Sequence, residues 1–168
     1  MKVFVLAAIF FSSSIFTQVK ITPEDALQKH FPGLKTTRVA VYLKQNERNQ
    51  IAKELGGDEV SGLYTFYIAR DNGKIKGYAL FDTHRVRTKE ETLCVVLDEK
   101  GGVKAVDLIS FYEPDEYMPP ARWLEKFAGK NRESLQEVQA MTGATLTSRS
   151  VYKSLQRAVV VFKYTLGK

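Results

Sequence analysis

Leu63-Tyr-Thr-Phe-Tyr-Ile-Ala69, then Asp71-Asn-Gly73, then Ile75 to Asp82 read as two strands joined by a tight turn. The first run is rich in aromatic and β-branched residues at a period of two, the composition of a pleated, half-buried surface. Asn-Gly supplies the two left-handed positions that a two-residue hairpin needs. A second pair follows, Thr92 to Leu97 and Val103 to Phe111, joined at Asp98-Glu-Lys-Gly-Gly102. The spacing predicts an antiparallel sheet of at least four strands.

Upstream of the hairpins, Ile21-Thr-Pro-Glu-Asp-Ala-Leu27 begins a helix. Thr22 caps it, Pro23 fits its first turn, and Glu24 and Asp25 suit the positive end of its dipole. Pro32-Gly33 ends it. Thr36 to Leu43 reads as a strand, and Lys44 to Leu55 as a helix stopped by Gly56-Gly57. Downstream, Tyr112-Glu-Pro-Asp-Glu-Tyr-Met-Pro-Pro120 is too proline-rich for a strand or a helix interior. A short amphipathic helix, Ala121 to Phe127, closes at Gly129. The last helix runs from about Ser148 to Tyr164, with Val151, Leu155, Ala158, Val159 and Phe162 on the face that docks on the sheet. Without repeats or low-complexity linkers, this is one α+β domain: an antiparallel sheet of hairpins with a C-terminal helix packed on it.

Length and composition agree. The 168 residues are 44% apolar and 26% charged, with 11 glycines and 5 prolines, which suits one globular domain and excludes disorder or a disulfide-stapled mini-fold. The single cysteine, Cys94, lies in the apolar run 92–97 and reads as a small core residue rather than a reactive thiol. His30 and His84 have no partner at metal-ligand spacing. Met1-Lys2, the apolar block Val3 to Phe11 and Ser12-Ser-Ser14 form the pattern of a secretory signal, short of the ~20 apolar residues of a spanning helix. Residues 1–18 are therefore expected to be an export signal. Its removal takes only Lys2 from the 25 basic residues and leaves 19 acidic ones, a net charge of +5. The basic groups His84 to Lys89 and Arg149, Lys153, Arg157 read as solvated faces, and no nucleic-acid motif is present.

The stretch that carries chemistry is Ala140-Met-Thr-Gly-Ala-Thr-Leu-Thr-Ser148, ahead of the last helix. Free backbone N–H groups at a helix N-terminus form an anion site, a glycine lets the backbone approach a ligand, and threonine hydroxyls add donors. The same residues also suit a plain loop with an N-cap at Thr147 or Ser148. Walker and dinucleotide fingerprints are missing. Glu113, Asp115 and Glu116 read as a solvated turn, and no nucleophile–base constellation stands out.

Thr142-Gly-Ala-Thr-Leu-Thr-Ser148 resembles the Ser/Thr-Gly-Ala-Thr motif of the FMN-binding domain. That domain is found in the FMN-carrying subunits of the sodium-pumping NADH:quinone oxidoreductase and of the Rnf-type ferredoxin:NAD oxidoreductase. Gly77 to Phe81 as a strand, the Glu99-Lys-Gly-Gly102 hairpin and a trailing helix occur in the same order, so the resemblance covers roughly residues 60 to 165. It implies residues 60–168 as the FMN-binding domain, with residues 19–59 a helix–strand–helix extension of it. It also implies FMN as cofactor, held by Thr142, Gly143, Ala144, Thr145, Leu146 and Thr147. Thr145 would carry the flavin as a phosphoester, attached by a flavin transferase outside the cytoplasmic membrane.

Tyr117, Met118 and Trp123 offer a wall for the flavin ring, with core packing the other reading of Trp123, and Arg149 offers a charge to the phosphate. Arg122 could meet a carboxylate, a phosphate or water. Two positions depart from the family: Gln139 replaces an acidic residue three before Thr142, and Phe111 to Tyr117 replaces the Glu-Thr-Pro-Gly segment of the respiratory members. The expectation is a stand-alone exported electron carrier, periplasmic or on the outer face of the membrane, with a redox partner at or near that membrane. A flavin-free anion-binding module and a small flavin-dependent reductase are the alternatives.

Overall fold

The computed structural model describes residues 21–168, so the segment read as an export signal lies outside the described residues. The central hairpin joins β2 (Leu63–Asp71) to β3 (Lys74–Arg85). Its turn residues Asn72 and Gly73 both take positive φ, 47° and 81°, the primed turn whose twist matches the strands. β3 pairs with β4 (Glu90–Leu97), and β4 with β5 (Val103–Phe111). A further strand, β1 (Lys35–Tyr42), pairs antiparallel with β2 and sets Val39 opposite Phe66. The result is a five-stranded antiparallel meander in chain order β1-β2-β3-β4-β5.

The sheet is covered on both faces. On one side lies α4 (Thr145–Tyr164), with α2 (Gln45–Glu54) and α3 (Ala121–Leu124) beside it. Val151, Leu155, Ala158, Val161 and Phe162 of α4 join Phe66, Leu80, Leu93, Val95 and Leu108 in the larger core. Val159, expected on this face, is only partly buried, and Val161 takes the place in the stripe. α1 (Pro23–His30) covers the other face, where Ala26, Leu27 and Phe31 pack on Ala69, Ala79, Cys94, Val96 and Ile109. Thr22 Oγ1 caps α1 by accepting the Asp25 N–H at 3.1 Å. His30 Nε2 and Lys29 Nζ both meet Asp107 on β5, at 2.6 and 2.7 Å, and tie α1 to the sheet. With layers on both faces, β4 loses its alternation: Leu93 to Leu97 are all buried. Cys94 is buried there, and desolvation pushes its thiol pKa up to about 12, so it is an inert core residue.

Candidate functional site

The helix expected from Ser148 begins three residues earlier, at Thr145. Its cap position is Ala144, whose side chain cannot satisfy a backbone donor, so the capping expected of Thr147 or Ser148 does not occur. The first helical bond runs from the Ser148 N–H to the Ala144 carbonyl at 3.0 Å. The N–H groups of Thr145, Leu146 and Thr147 therefore have no partner within the helix, and they carry the positive end of a 20-residue dipole.

What precedes this helix is fixed at successive points. The Tyr152 hydroxyl donates to the Val138 carbonyl. Trp123 Nε1 donates to the Gln139 carbonyl at 2.8 Å, and Ser148 Oγ accepts the Met141 N–H at 2.9 Å while donating to the Ala144 carbonyl at 3.0 Å. Between these ties, Met141 to Ala144 turns tightly, with the Ala144 N–H on the Met141 carbonyl. Gly143 sits at φ +79°, and a Cβ built there would meet nothing within 4 Å. Glycine is thus demanded by the backbone angle, and the space above it is open. Thr142, Gly143 and Thr145 are exposed, Leu146 is 47% exposed, and Ala144 and Thr147 are buried.

A cleft of about 180 Å³ in front of this helix end is lined by Gly143 to Thr147, Tyr117 and Arg87. The structure thus brings Tyr117 to the motif. Trp123 lines a different cleft of about 570 Å³ with Thr142, Gln139 and Met118, so the two expected walls do not share one cleft. Trp123 is 5% exposed, packs edge-on to Phe127 at 5.0 Å, and has its indole N–H committed to Gln139, which favours the core reading. Tyr117 also lines a cleft of about 550 Å³, with Arg87, Thr88, Lys89, Tyr112, Glu113, Pro114 and Glu116. The cation lining the motif's own cleft is Arg87, whereas Arg149 is an exposed residue that does not line it.

Two residues whose neighbours in sequence suggest solvated positions, Arg87 in a basic group and Glu113 in an acidic turn, are joined here. Glu113 is 4% exposed, and its Oε1 accepts the N–H groups of Arg87, Thr88 and Lys89 at 3.0, 2.6 and 2.8 Å. Burial alone would raise its carboxyl pKa, but these three donors outweigh it and hold the group below the usual carboxylate range. A carboxylate on the segment after β5 thus fixes the turn between β3 and β4. The pairing joins residues more than 20 positions apart, so no local pattern signals it.

Beneath α4 lies a second charged cluster. His84 Nδ1 meets Asp82 and its Nε2 meets Glu91, each at 3.0 Å, while Arg157 Nη1 bridges both Asp82 oxygens at 2.9 Å. Burial opposes the charge on His84, yet the two carboxylates dominate and raise its pKa to about 9. Burial likewise pushes Asp82 up, but His84 and Arg157 hold it below the ordinary value. Glu91 is fully buried with Oε2 unpartnered, and desolvation raises its pKa despite His84.

An exposed threonine opening a helix whose first N–H groups are free, behind a left-handed glycine, fits the phosphate of FMN, and aromatic and apolar clefts flank it for the ring. A model of the FMN-binding domain matches residues 32–160, from ahead of β1 into α4. Among curated proteins, a subunit of the Na(+)-translocating ferredoxin:NAD(+) oxidoreductase complex of Acetobacterium woodii is 25% identical over 139 residues. The alignment takes in 74% of this chain and 66% of that protein, so the chain spans just under two thirds of the relative's length. No solved structure matches. With the family model spanning most of the chain and a site that suits the phosphate, the chain belongs to the FMN-binding domain family, and its cofactor is FMN.

Proposed function

We propose that this chain is an extracytoplasmic electron-transfer flavoprotein whose FMN is joined through its phosphate to Thr145. The observation that carries the reading is the exposed Thr145 at the first position of a helix with no side-chain cap, inside the stretch matched by the family. Bound there, FMN supplies the redox chemistry, and the protein supplies attachment, orientation and electrostatics. The free N–H groups of Thr145 to Thr147 offset the negative charge of the phosphate, and Gly143 leaves the approach open. Ser148, Trp123 and Tyr152 hold the preceding segment, so little ordering remains when the ligand arrives.

Attachment forms a Thr145 Oγ1–P bond as the P–O bond to the leaving group of the flavin nucleotide donor breaks, and the hydroxyl proton departs with that leaving group, with no change of oxidation state. A flavin transferase outside the cytoplasmic membrane is the maturation partner, consistent with the export pattern of Met1 to Ser14. The similar Acetobacterium protein is named as a subunit of an oxidoreductase complex, which favours a redox partner at the membrane.

The test is the intact mass of the protein exported beside a flavin transferase. A gain of FMN less one water, and fluorescence that survives denaturation, are expected for the wild type and absent from Thr145→Ala. A wild-type chain that is unmodified and colourless removes the reading. One that is unmodified but yellow removes only the covalent link.

A further inference from the structure

We infer that Arg87 receives the phosphate of FMN and that Glu113 is the positioning residue that holds it in place; the inference rests on the flavin reading above. Arg87 is the cation among the residues lining the small cleft at the start of α4, together with Thr145 and the free N–H groups. At about 180 Å³ that cleft lies below the ~300–1,000 Å³ typical of small-molecule sites. It therefore suits the phosphate, and leaves the flavin ring to one of the larger clefts beside it.

The guanidinium of Arg87 is already held at this wall, with its central carbon 5.1 Å from the centroid of the Tyr117 ring. Its charge helps to keep Glu113 ionised, but among the described residues its guanidinium forms no salt bridge, so its planar fork of donors is free for phosphate oxygens. Its backbone is set by Glu113, which binds three consecutive N–H groups, 87 to 89, and is also reached by Thr88 Oγ1 at 3.4 Å. The turn is closed further by the Val86 N–H on the Lys89 carbonyl at 3.0 Å. A nearly buried carboxylate thus fixes a four-residue connection whose one side chain at the motif is cationic. Among the described residues, the small cleft has no acidic lining residue to compete for that cation.

Comparison of FMN with riboflavin, which has the same ring and no phosphate, tests this directly. The full chain is made without a flavin transferase, so that the Thr145 hydroxyl stays free, and each flavin is titrated by fluorescence. Arg87→Ala is expected to weaken FMN binding by roughly ten- to a hundredfold, as for loss of a charge-assisted contact, and to weaken riboflavin far less, any loss there measuring what Arg87 gives to the larger cleft it also lines. Arg87→Lys recovers part of the loss, and Glu113→Ala reproduces it. Arg87 is exposed, so its variants keep the thermal midpoint of the wild type and decide the matter even where Glu113→Ala does not fold.

Equal loss for both flavins, or no loss for either, overturns the inference. So does a wild-type chain that prefers neither flavin yet accepts covalent FMN. A wild-type chain that binds neither and stays unmodified beside an active transferase brings down the flavin reading itself.

Discussion

His84 lies between two carboxylates and holds its proton more tightly in the folded chain than in the unfolded one. Its pKa rises from 6.5 to about 9, so the stabilisation it provides is complete below pH 6.5 and is lost as pH rises through 9. Glu91, raised by burial, acts in the same direction, whereas Asp82, lowered by His84 and Arg157 against its own burial, contributes above about pH 4 and loses its effect in acid. Stability is therefore expected to fall between pH 7 and 9 by up to ~1.4 kcal/mol per pH unit through the His84 proton. Urea unfolding across that range checks it: the double variant His84→Gln, Glu91→Gln should lose most of the slope, keeping only the small fall near pH 9 where the Cys94 thiol ionises in the unfolded chain, and equal slopes would refute the assignment. At this scale the sequence is legible only where chemistry is contiguous. Thr142 to Thr147 announce themselves because glycine and hydroxyls crowd into six positions around the start of a helix. Arg87, Glu113 and the His84 cluster do not, since each depends on a partner brought in by strand pairing or by helix docking.

Among the elements, the β2–β3 hairpin sets the register from which the site follows. Phe66 opposite Leu80 and Phe81 opposite Cys94 place alternate residues on the two covered faces, and a slip of one residue would exchange them. Gly73, at φ +81° in the turn, holds that register. Gly73→Ala forces a side chain into the left-handed region and should cost ~1–2 kcal/mol, read as a lower urea midpoint at unchanged m value. A larger loss, with altered m, would mean that the register itself had moved. The hairpin turn and the strands are readable because their signals are local. The start of α4 is not: Thr145 and Thr147 are poor helix formers, and the extra turn is held by Ser148 reaching back to Met141 and Ala144. The same tertiary tie that hides the helix start exposes the N–H groups that suit a phosphate.

For the molecule as a whole, the question is how much chain the sheet needs. The resemblance read from sequence begins near residue 60, and the family match at residue 32, yet neither includes α1, Pro23–His30. The sheet nevertheless buries Ala69, Ala79, Cys94, Val96 and Ile109 against that helix, and Phe31 just beyond it is 1% exposed. Each large side chain so buried contributes ~1.5–3 kcal/mol, and a domain of this kind has ~5–15 kcal/mol in total, so losing Leu27 and Phe31 together removes a substantial share. A chain that starts at residue 60 would also lose β1, and with it the pairing that covers the edge of β2. A chain starting at Ile21 is therefore expected to unfold in one cooperative transition with the full midpoint. One starting at Glu59 or Val60 should expose the second sheet face, bind a hydrophobic dye and aggregate. Equal midpoints for the two would show that α1, β1 and α2 are together dispensable. Since the small cleft proposed for the phosphate is lined by Arg87, at the opposite end of β3 from the β2–β3 turn, and α1 covers the face away from α4, Phe31→Ala separates the two contributions: it should cost ~3–5 kcal/mol of stability while FMN affinity at low temperature stays that of the wild type.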